Sequence, residues 1–157
     1  MKKILTFCLL LPLVLNLFSQ SCLPDGIYFV IQQDIDEFQS NYPGCTEIEG
    51  FVELHGSMWN LSGLNVLTNI NGNLRIIDCD VIENLAGLDS LKSIGGKLEI
   101  FDCNVLNNLS GLENLENIGG NLEIRQNYNL TSLYGMTSLT SVGGQMEIKF
   151  NSSLKSF

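Results

Sequence analysis

The chain predicts a mainly β fold, a parallel β-solenoid in which coils of about two dozen residues stack on one another. Three observations carry that expectation. LTNINGNLRIIDCDVIENLAGLDS from Leu67, LKSIGGKLEIFDCNVLNNLSGLEN from Leu91 and LENIGGNLEIRQNYNLTSLYGMTS from Leu115 align without gaps at a period of 24 residues. A further copy starts at Leu139 and is unfinished at Phe157, and a looser one, two residues shorter, runs from Cys45 to Val66. Self-similarity at a fixed period of this length is the mark of a repeat architecture. The second observation is an apolar pattern that one helix face cannot hold. Leu98-Glu99-Ile100 alternates in-out-in as a short half-buried strand does, and Leu106, Leu109, Leu112 and Leu115 then recur every third residue, as in a chain turning corners around a core. The third is glycine before every strand, at Gly50, Gly72, Gly96, Gly120 and Gly144, where a turn of positive φ is expected.

Taken in order, the elements begin with Met1-Lys2-Lys3 and the apolar run Ile4 to Phe18, which read as a secretory signal peptide over residues 1–20. The run is too short for a membrane span. Cleavage is expected after Gln20, with lipidation at Cys22 as the alternative. Residues 21–45 lie outside the repeat and are expected to cap it: a strand over Gly26 to Ile31, then a short helix opened by Asp34-Ile35-Asp36-Glu37 and stopped by Pro43-Gly44. Ile35, Phe38 and Tyr42 would share its inner face. Residues 46–157 form about five coils, the last incomplete, with one strand each at Val52–Leu54, Leu74–Ile76, Leu98–Ile100, Leu122–Ile124 and Met146–Ile148. A single coil cannot offset its ordering entropy with its own apolar contacts; stacking lets each cover the next. Met146, Ile148, Leu154 and Phe157 fall in inward columns with nothing after them, so the last coil is expected to fray or to associate end to end, as a piece of a longer protein would.

Cys22 and Cys45 bracket the capping segment, and in an exported chain they are expected to be bonded. Cys79 and Cys103 stand one coil apart in an inward column. Two buried free thiols are expected there, with a disulfide as the alternative, because parallel neighbours bring the Cα atoms close while holding the Cβ atoms slightly too far apart. No metal site is expected, since no inward histidine stands near them.

The pattern leucine–x–isoleucine–x–x–Asn/Cys, with Cys79, Cys103, Asn127 and Asn151 in one column, resembles the leucine-rich repeat signature. The longer pattern I-G-G-x-L-x-I followed by L-x-x-L-x-G-L-x-x-L resembles more closely the receptor L domain, known from insulin- and EGF-receptor ectodomains and from fungal cell-wall proteins. It is also similar to repeat-bearing surface proteins of the Bacteroidota. The resemblance covers about residues 45–157 and implies a right-handed parallel β-helix used for binding or surface architecture. It carries over no ligand residues, because only scaffold positions match.

Beyond residue 20 the chain holds all seventeen acidic residues and six of its eight basic ones, a net charge of −11. Such a chain repels nucleic acid and anionic membranes. Catalysis is not expected: His55 is the only histidine and stands at one end of the array. No cofactor is implied. If Leu98 and Ile100 point inward, the outward strand face carries a middle column of Glu53, Arg75, Glu99, Glu123 and Glu147. It is flanked by His55, Ile77, Phe101, Arg125 and Lys149 on one side and by Phe51, Asn73, Lys97, Asn121 and Gln145 on the other. Stacked glutamates repel unless cations compensate them, so a solvated ladder of mixed pairs is one reading of this face. The other makes Ile77, Glu99, Phe101, Glu123, Arg125 and Glu147 a patch for an extracellular protein or glycan. A secreted or cell-surface binding or adhesion module is thus expected, with a passive structural spacer or surface-layer element as the alternative.

Overall fold

The computed structural model describes residues 20–155. Apart from Gln20, the expected leader lies outside the described residues, as does Phe157. In chain order the elements are β1 (Gln20–Cys22), β2 (Ile27–Ile31), α1 (Gln32–Asp36), α2 (Phe38–Asn41), β3 (Cys45–Ile48) and β4 (Val52–Ser57). After a 3-10 turn at Ser62–Leu64 come β5 (Asn69–Ile70), β6 (Leu74–Ile77), β7 (Ser93–Ile94), β8 (Leu98–Phe101), β9 (Asn117–Ile118), β10 (Leu122–Arg125), β11 (Ser141–Val142) and β12 (Met146–Lys149). Every described strand pairing is parallel. The result is a β-solenoid of about five turns.

Each coil gives a strand to each of two sheets, ordered β1-β3-β5-β7-β9-β11 and β2-β4-β6-β8-β10-β12. This corrects the expectation of one strand per coil. The five expected strands form the second sheet; the first is built largely from two-residue strands with a single inward apolar residue, such as Ile94 or Ile118, too short to show a period of two. The third side has no strand but is stitched by backbone bonds between coils, including Leu85 N–H to Ser110 O at 2.7 Å and Thr131 N–H to Asn107 O at 3.0 Å.

The segment before the repeat continues both sheets, because β1 pairs with β3 and β2 with β4. Its helices begin earlier than the capping-box reading placed them. Asp34 stands inside α1, and its carboxylate accepts from the backbone N–H of Val30 and Ile31 at 3.0 and 3.1 Å. Ile35 and Phe38 are buried, Phe38 meets the Phe29 ring edge-on at 5.8 Å, and Tyr42 is half-buried beside them. The buried Gln32 side chain ties this layer to the next coil, accepting from Trp59 N–H and donating to Asn60 O. The Cys22–Cys45 disulfide closes the layer, with Cα atoms 5.8 Å apart.

Glycine before each strand has a different cause from the one expected. Gly96 and Gly120 are not at positive φ; a Cβ at either would press on the backbone of the coil below, at Gly72 and Gly96 respectively. Positive φ belongs instead to Gly87, Gly111 and Gly135 on the third side, and to a corner directly after each strand. That corner holds Asp78, Asp102, Gln126 and Phe150, and Gly56 takes the equivalent place inside β4.

One inward column shows how unlike residues serve one role. Cys79 and Cys103 donate their thiols to the carbonyls of Leu54 and Ile76, at 3.5 and 3.6 Å. Asn127 and Asn151 donate their amides to the carbonyls of Ile100 and Ile124, at 3.0 and 2.8 Å. In every case the acceptor is the inner strand residue of the preceding coil. Asparagine also accepts, taking the N–H of Cys103 at 3.0 Å and, from Asn151, that of Asn127 at 2.9 Å. Both thiols are free and fully buried; the hydrogen bond to Cys79 and burial together push the Cys103 thiol up.

At the far end, Leu122, Leu133, Met136, Leu139, Met146 and Ile148 line an apolar cavity of about 390 Å³, with Met146 59% exposed.

Two outcomes follow from the column. Asn127→Ala strands the Cys103 N–H and the Ile100 carbonyl, and urea titration should show a loss of about 3 kcal/mol. Iodoacetamide should label neither Cys79 nor Cys103 in the native chain and both after unfolding, read by mass spectrometry.

Candidate functional site

The outward face of the second sheet is fixed by register. Glu53, Arg75, Glu99, Glu123 and Glu147 sit opposite one another in successive strands, and Tyr28 of β2 extends the column beyond Glu53. Beside it run His55, Ile77, Phe101, Arg125 and Lys149. All six residues expected to form a patch therefore share one face.

Glu99 is its centre. Its side chain is only 8% exposed, and it meets Arg75 Nε at 3.0 Å, Lys97 Nζ at 2.9 Å and Arg125 Nη2 at 2.8 Å. Arg75 reaches on to Glu53, and Arg125 Nη2 to Glu123 at 3.0 Å, so the cations bridge carboxylates on neighbouring strands. Lys149 holds Glu147 at 3.0 Å. Burial alone pushes the Glu99 carboxyl up, but hydrogen bonds from Lys97 and Arg75 outweigh it and hold the group below the usual carboxylate range. The hydrogen bond to Glu99 in turn raises the Arg75 guanidinium. Repulsion between stacked glutamates is thereby answered in place.

The charge balance of this face differs from the rest of the surface. Arg75, Lys97, Arg125 and Lys149 stand on it against Glu53, Glu99, Glu123 and Glu147, a net charge of zero. Of the six basic residues beyond residue 20, only Lys92 and Lys155 lie elsewhere, so the remaining surface carries the whole −11. Apolar groups interrupt the lattice. Tyr28, 60% exposed, packs edge-on against Phe51 at 4.8 Å, and Val30 is half-exposed beside it. Ile77 and Phe101 are half-buried neighbours in the flank.

At the other end Arg125 lies over the Phe101 ring, with its guanidinium carbon 5.7 Å from the centroid. Phe101, Arg125, Gln126, Glu147, Lys149 and Phe150 line a cleft of about 260 Å³. Phe101, Arg125 and Glu147 are among the patch residues the sequence predicts, and Lys149 is predicted as a flanking residue of the same face; Gln126 and Phe150 are not predicted. The signal for Phe150 lies in the corner column, where Asp, Asp and Gln precede it. Phe150 has φ of 59° and its ring is 70% exposed. A bulky residue in that region costs about 1–2 kcal/mol, and an exposed ring gives little packing in return. Tyr28 escaped the reading because its register depends on β2, outside the repeat. Among the described residues no three His, Cys, Asp or Glu side chains converge as metal ligands.

Because the Glu99 carboxyl is depressed on folding, its contribution is fully present above its unfolded value of about 4.5 and is lost as pH falls through the folded value. Urea midpoints should hold steady toward neutral pH and drop on the acid side of that range. Glu99→Gln should lower the neutral plateau by about 1–3 kcal/mol and flatten part of the acid limb.

No curated protein matches the chain. The family model of the Receptor L domain matches residues 68–156, the span from β5 through the β12 coil. That match covers more than half of the sequence and the strands from β5 to β12, while β1 to β4 lie before it, and the chain belongs to the Receptor L domain family.

Proposed function

We propose that the chain is a secreted or cell-surface binding module, exported with loss of residues 1–20, that engages an extracellular protein or glycan through the outward face of β4, β6, β8, β10 and β12. Membership of the family supports a ligand-binding extracellular module, and the disulfide is consistent with an oxidising compartment. The observation that carries the choice of face is its charge balance. Elsewhere the surface is strongly acidic and repels acidic partners; here paired charges and apolar side chains form a neutral, mixed platform. Charges already paired with each other lose less on being covered than isolated ones would. Tyr28, Phe101 and Arg125 are of the types that anchor interfaces.

The test is a comparison of the native chain with two variants on a glycan array and a displayed library of extracellular proteins. The platform variant carries Tyr28→Ala and Phe101→Ala; the control carries Asn117→Lys, exposed on the other sheet. A ligand of this face should bind the platform variant at least about tenfold more weakly and the control unchanged. Loss on the control alone would move the site to the first sheet, and retention of nothing by any form would leave the chain a spacer.

A further inference from the structure

On the third side, between the first and second coils of the repeat, Trp59, Asn60, Val81, Glu83 and Asn84 line a cleft of about 320 Å³. Its origin lies in the register and not at an end of the stack. Ser57 alone spans what Cys79, Asp80 and Val81 span one coil later, so the chain beneath Val81 is two residues short. Val81 is 44% exposed as a result, whereas Val105, with a full coil beneath it, is half-buried. One wall of the notch is the indole of Trp59, 62% exposed, at a place that Glu83, Asn107 and Thr131 fill in later coils. The backbone carrying that ring is held from inside. Buried Gln32 accepts from the N–H of Trp59 and of Asn60, at 3.0 and 3.3 Å, and donates to Asn60 O at 3.2 Å. Asn60 and Asn84 are fixed as well, each Oδ1 closing a turn by accepting from Ser62 N–H or Ala86 N–H at 3.0 Å. Among the described residues their amide nitrogens have no hydrogen-bond partner, nor has the Glu83 carboxylate. The cleft thus offers an aromatic wall, an apolar side chain, two amide donors and one carboxylate acceptor on a backbone already in place.

We propose that this notch binds one pyranose ring of a neutral oligosaccharide, an equatorially substituted hexose laid flat against Trp59. Such a ring shows only C–H groups on its faces, which suit the indole face, and carries hydroxyls around its rim. Hydroxyls both donate and accept, so the Asn60 and Asn84 amides can give to the rim while Glu83 takes from it. The volume stands at the low end of the roughly 300–1,000 Å³ of small-ligand pockets, which suits a single ring. Glu83 and the acidic surface around it repel an anionic sugar. A basic side chain could stack on the indole beside Glu83, but it has nothing to accept from the two amides. The notch is separate from the charged platform of the second sheet, and the proposal does not rest on that platform being a binding face.

Trp59 is the only tryptophan, so its fluorescence and its indole N–H resonance report on this cleft alone. The experiment titrates the ¹⁵N-labelled chain with cellohexaose, chitohexaose, hexagalacturonate and acetyl-Lys-Gly-Lys-amide and follows both signals. At least one of the two neutral glycans should shift both saturably, and the anionic glycan and the peptide should bind at least tenfold more weakly. Trp59→Ala, followed through the Asn60 and Asn84 side-chain amide resonances, should weaken that glycan at least tenfold. Its thermal unfolding midpoint should stay that of the native chain, because most of the ring lies outside the core. Asn84→Asp keeps the acceptor of its turn and removes the amide donor, and should weaken the glycan severalfold. The Tyr28→Ala, Phe101→Ala variant should bind it as the native chain does. No saturable shift with either neutral glycan, an equal response to hexagalacturonate or the peptide, or undiminished binding by Trp59→Ala would each overturn the proposal. Glycan lost from the platform variant and kept by Trp59→Ala would sink the notch and leave the platform standing. Glycan lost only with Trp59→Ala, beside array ligands indifferent to the platform variant, would do the reverse.

Discussion

Everything in this molecule depends on parallel strands stacking in register, one coil directly over its equivalent. The constraint is severe because parallel pairing transmits position without error: Leu74, Leu98, Leu122 and Met146 must all point inward if one does. A slip of one residue would turn every core side chain outward. The 24-residue register is the sequence's way of preventing that slip. It also explains the glycines under the strands, since stacked turns bring backbone against backbone with no room for a Cβ. Where the register shortens by two residues, between Gly56 and Met58, Ser57 alone spans what Cys79, Asp80 and Val81 span in the next coil, and the corner is closed by Gly56 at φ of 101°.

The stacked inner column is the register's second device. A carbonyl at the end of each inner strand segment must find a donor inside the core, and the residue three positions along the next coil supplies it. Sulfur does this at 3.5–3.6 Å and an amide at 2.8–3.0 Å. Only asparagine can also accept a backbone N–H, so the later coils are tied on both sides and the earlier ones on one. Cysteine fills the same space as a small apolar group, buried and unbonded to another sulfur.

Sequence periodicity reveals whatever repeats, and little else. The second sheet's strands, the inward columns and the three outward columns were legible because each recurs every 24 residues. The first sheet was not, since one inward isoleucine before Gly-Gly carries no alternation to read. Tyr28 was hidden for a related reason: its neighbour in space, Glu53, is set by a pairing that no repeat announces. Phe150 was hidden by the opposite effect. It occupies a repeated position, but what makes it unusual is a backbone angle, and the sequence shows only that a phenylalanine stands where Asp and Gln stood before.

Repetition also bears on how much of the charged face reflects function. A coil that carries glutamate at its strand centre will, when copied, stack carboxylate on carboxylate, and that array needs cations between its rungs to persist. The gathering of Arg75, Lys97, Arg125 and Lys149 on one face is therefore partly a condition of stability. Its neutrality is a consequence that a partner can exploit, because the surface around it remains acidic. The apolar interruptions compensate no charge, although Tyr28 packs on Phe51 and Phe101 lies under Arg125. Tyr28 and Phe150 are both exposed, and Phe150 holds a left-handed backbone that bulky side chains rarely adopt. Pairing among the charges accounts for the middle of the platform; on the binding reading proposed above, its aromatic side chains are where a partner gains most.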